Sequence, residues 1–260
     1  MMAVLIFAAA SFLNGGALAA APYLMEGTNG ASPLRSTAAA SNGTLVANYK
    51  QCDPEWACFP YVGATGDCTK THCAATQGGS NADNICASGC GITSSAMILS
   101  FLTSTTAGNL TSIKPPVIAK LLIDAGYRNF PSGPNGSTCD GVSQIAECAM
   151  AAHYGFQCES FPDIKQAQAL AASGSDPLIA HVRAKGTPNT CKFTSGGHYI
   201  VLTSFDESKG LFHVNDPASS STARATGTPA ELSEGCSLVG FVHMHAGGSG
   251  GSSSSSLPPV

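Results

Sequence analysis

Three residues whose types and order suit nucleophilic catalysis are spread along the chain. ASGCGITSSAMILSFL, residues 87–102, sets Cys90 between two glycines at the start of an apolar run. A thiol is a strong nucleophile only as the thiolate. A helix N-terminus favours that ion, because its unpaired N–H groups and macrodipole direct positive charge at it. His198 follows Gly196-Gly197 and opens the strand-like run HYIVLTSF, where its ring can be reached by substrate and act as a base. Alternation puts His198, Ile200 and Leu202 on one face. Asp216 ends the next strand-like run, so an antiparallel hairpin would bring it back to His198 as the group that orients the imidazole. Each residue also has a plainer reading. Cys90 could pair with Cys86, His198 could be a core histidine, and Asp216 before Pro217 is an ordinary turn former. Asn215 is the second choice of orienter, although alternation sends it to the opposite face.

The elements that must position these residues follow from pattern. Ile92 to Leu102 is apolar on nearly every side, as a buried central helix is. Helices are expected over 115–125, opened by Pro115-Pro116, and over 141–154 after Asp140 as N-cap. In the latter, Val142, Ile145, Ala149 and Ala152 form the apolar face. A shorter helix covers 163–172. The final third changes period: LIAHV (178–182), HYIVLTSF (198–205), LFHVND (211–216) and SLVGFVHMH (237–245) read as strands. Helices first and strands later indicate an α+β fold.

The 260 residues include only 11% charged residues, and the formal net charge is −4. No basic block points to nucleic acid. Residues 1–19 read as a signal peptide, with a short apolar run and Ala17-Leu18-Ala19 as the cleavage site. Nothing later is long and apolar enough to insert in a membrane. Residues 20–47 read as a low-complexity extension or propeptide, 48–246 as one domain, and 247–260 as a flexible Gly/Ser tail. Eleven cysteines and sequons at Asn42, Asn109 and Asn135 fit a secreted or extracellular protein, or one in the lumen of the secretory or endolysosomal pathway. An odd count leaves at least one thiol without an intramolecular partner. Residues 52–86 form a Cys-rich insertion whose spacings fit no common zinc motif. His243 and His245 share a strand face that a metal could use, but no third ligand is evident. His181 and His213 are expected to be half-buried and hydrogen-bonded, His72 and His153 to be surface residues. Trp56 either covers the cleft or fills core space.

ASGCGITSSAMIL, GGHYIVLTSFD and VNDP, with YKQCDPEW upstream and AQALAASGSDPLIAHV (167–182) between, resemble the C39-like cysteine peptidase family of the papain-like clan. The resemblance implies a papain-like fold, with a buried helix headed by the nucleophile packed on an antiparallel sheet. It implies Cys90 as nucleophile, His198 as general base and acid, and Asp216 as the orienting carboxylate. It further implies that the side-chain amide of Gln51, with the Cys90 N–H, forms an oxyanion hole. Gln51 stands unusually far upstream, so the Cys-rich insertion must loop out between it and Cys90. No Trp or Tyr follows the nucleophile, so papain-type substrate preferences do not transfer.

The expectation is therefore a secreted cysteine hydrolase acting on peptide or related amide bonds through a thioester. Its substrate would be a peptide or protein, no metal or organic cofactor is required, and a monomer is the default. An amidase, transpeptidase or cell-wall endopeptidase would use the same residues. A non-catalytic binding or surface module that keeps the fold is the rival from another class.

Overall fold

The apolar run after Cys90 is the middle of an 18-residue helix, α2 (Cys90–Ala107), preceded by the single turn α1 (Ile85–Ser88). The computed structural model describes residues 46–61, 84–107, 112–127, 142–174 and 176–247. The leader and most of the extension, the three sequons, His72, Asp140, the middle of the Cys-rich insertion and the tail beyond Gly247 lie outside the described residues. Ile92 and Ala96 to Leu99 are wholly buried, which explains why the run shows no polar stripe. Two further helices pack on α2. They are α3 (Pro115–Asp124), with prolines in its first turn, and α4 (Gln144–His153). The last helix, α5 (Ile164–Ala172), is capped by Asp163, whose carboxylate accepts from Lys165 N.

The six strands are β1 (Gln157–Phe161), β2 (Leu178–Arg183), β3 (Gly197–Asp206), β4 (Leu211–Asn215), β5 (Thr226–Gly227) and β6 (Ser237–His245). They form one antiparallel sheet in the order β1-β6-β2-β3-β4-β5. Alternation divides their side chains between two cores. Ile179, Tyr199, Val201, Val242 and Met244 join the helices α2, α3 and α4. Ala180, Val182, Ile200, Leu202, Phe212 and Phe241 join Ala167 and Ala171 of α5. The mixed α+β class is thus present, with helices on both faces of the sheet.

Several expectations need correction. Helix α4 begins at Gln144, and its N-cap is Ser143, whose hydroxyl accepts from Ala146 N at 3.2 Å. Its buried face is Ala146, Glu147, Met150 and Ala151, while Ile145 is 64% exposed. The expected face was displaced because the pattern assigned the glutamate to solvent. Helix α2 continues to Ala107, five residues past the apolar run, on hydroxyl-bearing residues that bond back to its own carbonyls, such as Thr105 Oγ1 to Phe101 O at 3.0 Å. His213 is exposed, not half-buried, because it points away from the face that buries Phe212 and Val214. His181 is half-buried and stacks on Tyr199 with ring centroids 4.1 Å apart. Trp56 fills core space.

Candidate functional site

Helix α2 starts at Cys90 because the chain turns sharply at Gly89. Gly89 N donates to Ile85 O at 2.8 Å to end α1, and Gly89 O accepts from Thr93 N at 2.9 Å in the first turn of α2. A Cβ on Gly89 would overlap the Ile85 carbonyl, and one on Gly91 would overlap the Val142 side chain. Both glycines are therefore required by close approach rather than by turn conformation. Cys90 is partly buried and is a free thiol. Cys86 is bonded instead to Cys52, Cys148 to Cys158, and Cys191 to Cys236.

His198 stands at the start of β3, beside the N-terminus of α2. Its Nε2 lies 2.7 Å from Asp216 Oδ1, and both residues are buried. The Cys90 thiol is also within hydrogen-bonding reach of the ring, and with Nε2 engaged, Nδ1 is the nitrogen left for the sulfur. Both Asp216 oxygens are engaged: Oδ1 also accepts from Ala218 N at 2.8 Å, and Oδ2 lies 3.3 Å from Arg224 Nη1. Asn215 is not the orienter, since its amide donates to Val46 O and Ala47 O at 3.3 Å each.

Electrostatics follow from these contacts. Burial pushes the Cys90 thiol up, but hydrogen bonding and charge from His198, with N–H groups of Tyr199 and Gly91, bring it below its ordinary value. Burial pushes His198 down, and this is outweighed by hydrogen bonds to Asp216 and Cys90 that raise it to about 9. Asp216 is held below its usual value despite burial, through His198, Ala218 N and Arg224. These opposed shifts, Cys90 down and His198 up, favour the charged forms of both groups beside the Asp216 carboxylate.

The segment carrying Gln51 is fastened to both halves of this arrangement. Gln51 N donates to Pro217 O at 2.8 Å, and Lys50 Nζ to Asp216 O at 2.6 Å. The Trp56 indole N–H donates to Lys50 O at 2.8 Å. Gln51 Nε2 donates to Cys86 O at 2.5 Å, and the Cys52–Cys86 disulfide joins the same two turns. Ile85 N to Phe59 O and Cys86 N to Ala57 O, at 3.2 and 3.1 Å, bring the two ends of the Cys-rich insertion together. The two described ends of the insertion thus lie side by side, and Gln51 sits against the turn that leads into Cys90. The second N–H of its amide remains as a donor.

One buried group was not anticipated. Glu147 on α4 is wholly buried, and neither carboxyl oxygen has a hydrogen-bond partner among the described residues. A Cβ on Gly91 would lie 3.3 Å from its Oε1, so the carboxyl sits beside the first turn of α2. Burial, then the charge of Cys90, pushes Glu147 well above the ordinary carboxyl range. The lone acid in QIAECAMAAH was the available signal.

Residues 72–234 match the model of the Peptidase_C39 like family. The match covers more than half of the chain, and the protein belongs to this family. No curated protein matches the chain. Cys90, His198 and Asp216 fall within the matched residues, and Gln51 lies upstream of them.

Proposed function

We propose that the protein is a cysteine hydrolase of peptide or related amide bonds, with a papain-like arrangement of α2 against the antiparallel sheet. The observation that carries this reading is the His198 ring, held by Asp216 on one side and meeting the free Cys90 thiol on the other. Cys90 Sγ attacks the substrate carbonyl carbon, and the C–S bond forms as the carbonyl π pair moves to oxygen. The Cys90 N–H and the Gln51 amide receive the oxyanion, a contribution of about 3 kcal/mol for each such donor. His198 gives its proton to the leaving nitrogen as the C–N bond breaks, leaving a thioester. It then takes a proton from water, whose oxygen attacks the thioester and releases the carboxylate product and the thiolate.

Residues 1–19 act as a secretion signal, residues 20–47 as an extension or propeptide, residues 48–246 as the peptidase domain and residues 247–260 as a Gly/Ser tail. The three disulfides of the described residues support an oxidising compartment. No described helix is long and apolar enough to cross a membrane. A peptide or protein substrate and a monomeric state complete the reading. The test is mass spectrometry of protein mixed with peptide, isopeptide and peptidoglycan fragments and quenched in acid. An acyl group on Cys90, absent from Cys90→Ala, is expected. Turnover that survives Cys90→Ala would overturn the reading.

A further inference from the structure

The strand β1, whose sequence QCESF is polar and short, pairs along its whole length with β6. The register sets Glu159 opposite His243 and Gln157 opposite His245. Directly opposed residues share a sheet face, as do residues two apart on one strand. Glu159, His243 and His245 therefore point to one side. Each offers a ligand atom, and these atoms all lie within 4.8 Å of one another. His243 Nδ1 is 3.2 Å from Glu159 Oε1, and the two imidazoles stack with centroids 4.7 Å apart.

A fourth residue bears on the same group. His243 is only 7% exposed, and its Nε2 is buried without a hydrogen bond that satisfies geometry among the described residues. Asp176 Oδ2, just ahead of β2, lies 3.5 Å from this nitrogen. A proton on Nε2, the side of the ring on which Asp176 lies, leaves the Nδ1 lone pair free beside Glu159. That is how metal-bound histidines are commonly oriented: one nitrogen ligates and the other donates to a carboxylate.

We propose that Glu159, His243 and His245 form a binding site for a divalent transition metal, zinc in the first instance, with Asp176 holding the His243 ring. Two imidazoles and one carboxylate suit zinc or copper better than calcium or magnesium, which take oxygen ligands. Donors at bonds of about 2.0–2.1 Å in a tetrahedral shell lie roughly 3.4 Å apart, so the group must draw in modestly. Glu159, with half of its side chain exposed, can make most of that movement.

The site is distinct from Cys90 and His198. Leu178 pairs with His243 and Val182 pairs with His198; four residues of strand separate the two rows, about 13 Å. The ion would tie the edge strand β1 to β6 and would touch neither the thiol nor its base. Its role is structural, and it does not depend on the hydrolase reading.

The test uses untagged Cys90→Ser protein, which removes the only other thiol-plus-imidazole site described. Equilibrium dialysis against zinc chloride, with metal quantified by mass spectrometry, should give one zinc per chain at low micromolar free zinc, together with a rise in Tm. His245→Ala, a partly exposed position, should lower zinc affinity at least tenfold and remove most of the Tm rise without altering the metal-free Tm. His243→Ala should do the same to binding; because it is buried, its metal-free Tm is measured alongside. In the protein with Cys90 intact, His245→Ala should leave the rate of thiol alkylation unchanged. Absence of zinc binding, or binding that His245→Ala leaves undiminished, would overturn the site and leave an ion pair of His243 with its two carboxylates.

Discussion

His198 Nε2 and Asp216 Oδ1 lie 2.7 Å apart, and the two side chains are 6% and 2% exposed. A carboxylate so placed fixes the ring tautomer and supports the imidazolium. Asp216→Ala should therefore lower kcat/KM by about 10⁴-fold, the loss seen when such an orienter is removed. It should also move the alkaline limb of the pH–rate profile below pH 9, because Asp216 is among the groups that raise His198 to about 9. Steady-state kinetics across pH checks both. An unchanged alkaline limb would count against the pairing.

Gln51 is attached through its backbone to Pro217 and through its amide to Cys86. If its remaining N–H serves the oxyanion, Gln51→Ala should slow acylation by roughly 10²–10³-fold. The rate at which iodoacetamide alkylates Cys90 should stay the same, because alkylation develops no oxyanion. A parallel loss in both assays would show instead that Gln51 supports the fold of the turn.

The Cys52–Cys86 disulfide closes a loop with a sequence separation of 34. In the chain-entropy account such a closure contributes about 4 kcal/mol. Replacing both cysteines by serine should lower stability by that order in denaturant unfolding. It should lower activity further, because the same bridge seats Gln51 against the turn before Cys90. Retention of full activity in the residual folded fraction would contradict the positioning role.

Glu147 is held above the ordinary carboxyl range by burial and by the charge of Cys90. A carboxyl whose folded pKa is raised contributes stability below its unfolded value of about 4.3, and that stability is lost as pH rises toward the folded value. Glu147→Gln keeps the shape and removes the ionisation. Its Tm should exceed that of the unaltered protein by an amount that grows between pH 5 and pH 8. A difference constant with pH would mean that the carboxyl has a charged partner.

How much was legible in the sequence depended on whether the signal was local. Cys90 between glycines ahead of an apolar run announces a helix start, and that helix begins at Cys90 itself. The strand runs after residue 178 are apolar stretches bounded by Gly, Pro and charged turns, and β2, β3, β4 and β6 lie on those stretches. QCESF has no apolar alternation, and β1 exists because β6 and the Cys148–Cys158 bridge hold it. With β1 went Glu159, so the two histidines of β6 had no visible third partner. Helix α4 misled for a related reason. Among alanines, one glutamate and one isoleucine decide the face, and here the glutamate is inside and the isoleucine outside. The position of β6 between β1 and β2 is a long-range pairing that no local pattern encodes.

The state of the Cys90 sulfur is tested most directly by its alkylation in the native, unreduced protein. Iodoacetamide labelling followed over pH and mapped by peptide mass spectrometry should place a single fast label on Cys90. Its rate should reach half-maximum well below the ordinary thiol pKa of about 8.5. Burial alone raises the thiol and His198 lowers it, so His198→Ala should move that midpoint upward, to 8.5 or beyond. A midpoint near 8.5 in the unaltered protein, unmoved by His198→Ala, would contradict a thiolate–imidazolium pair.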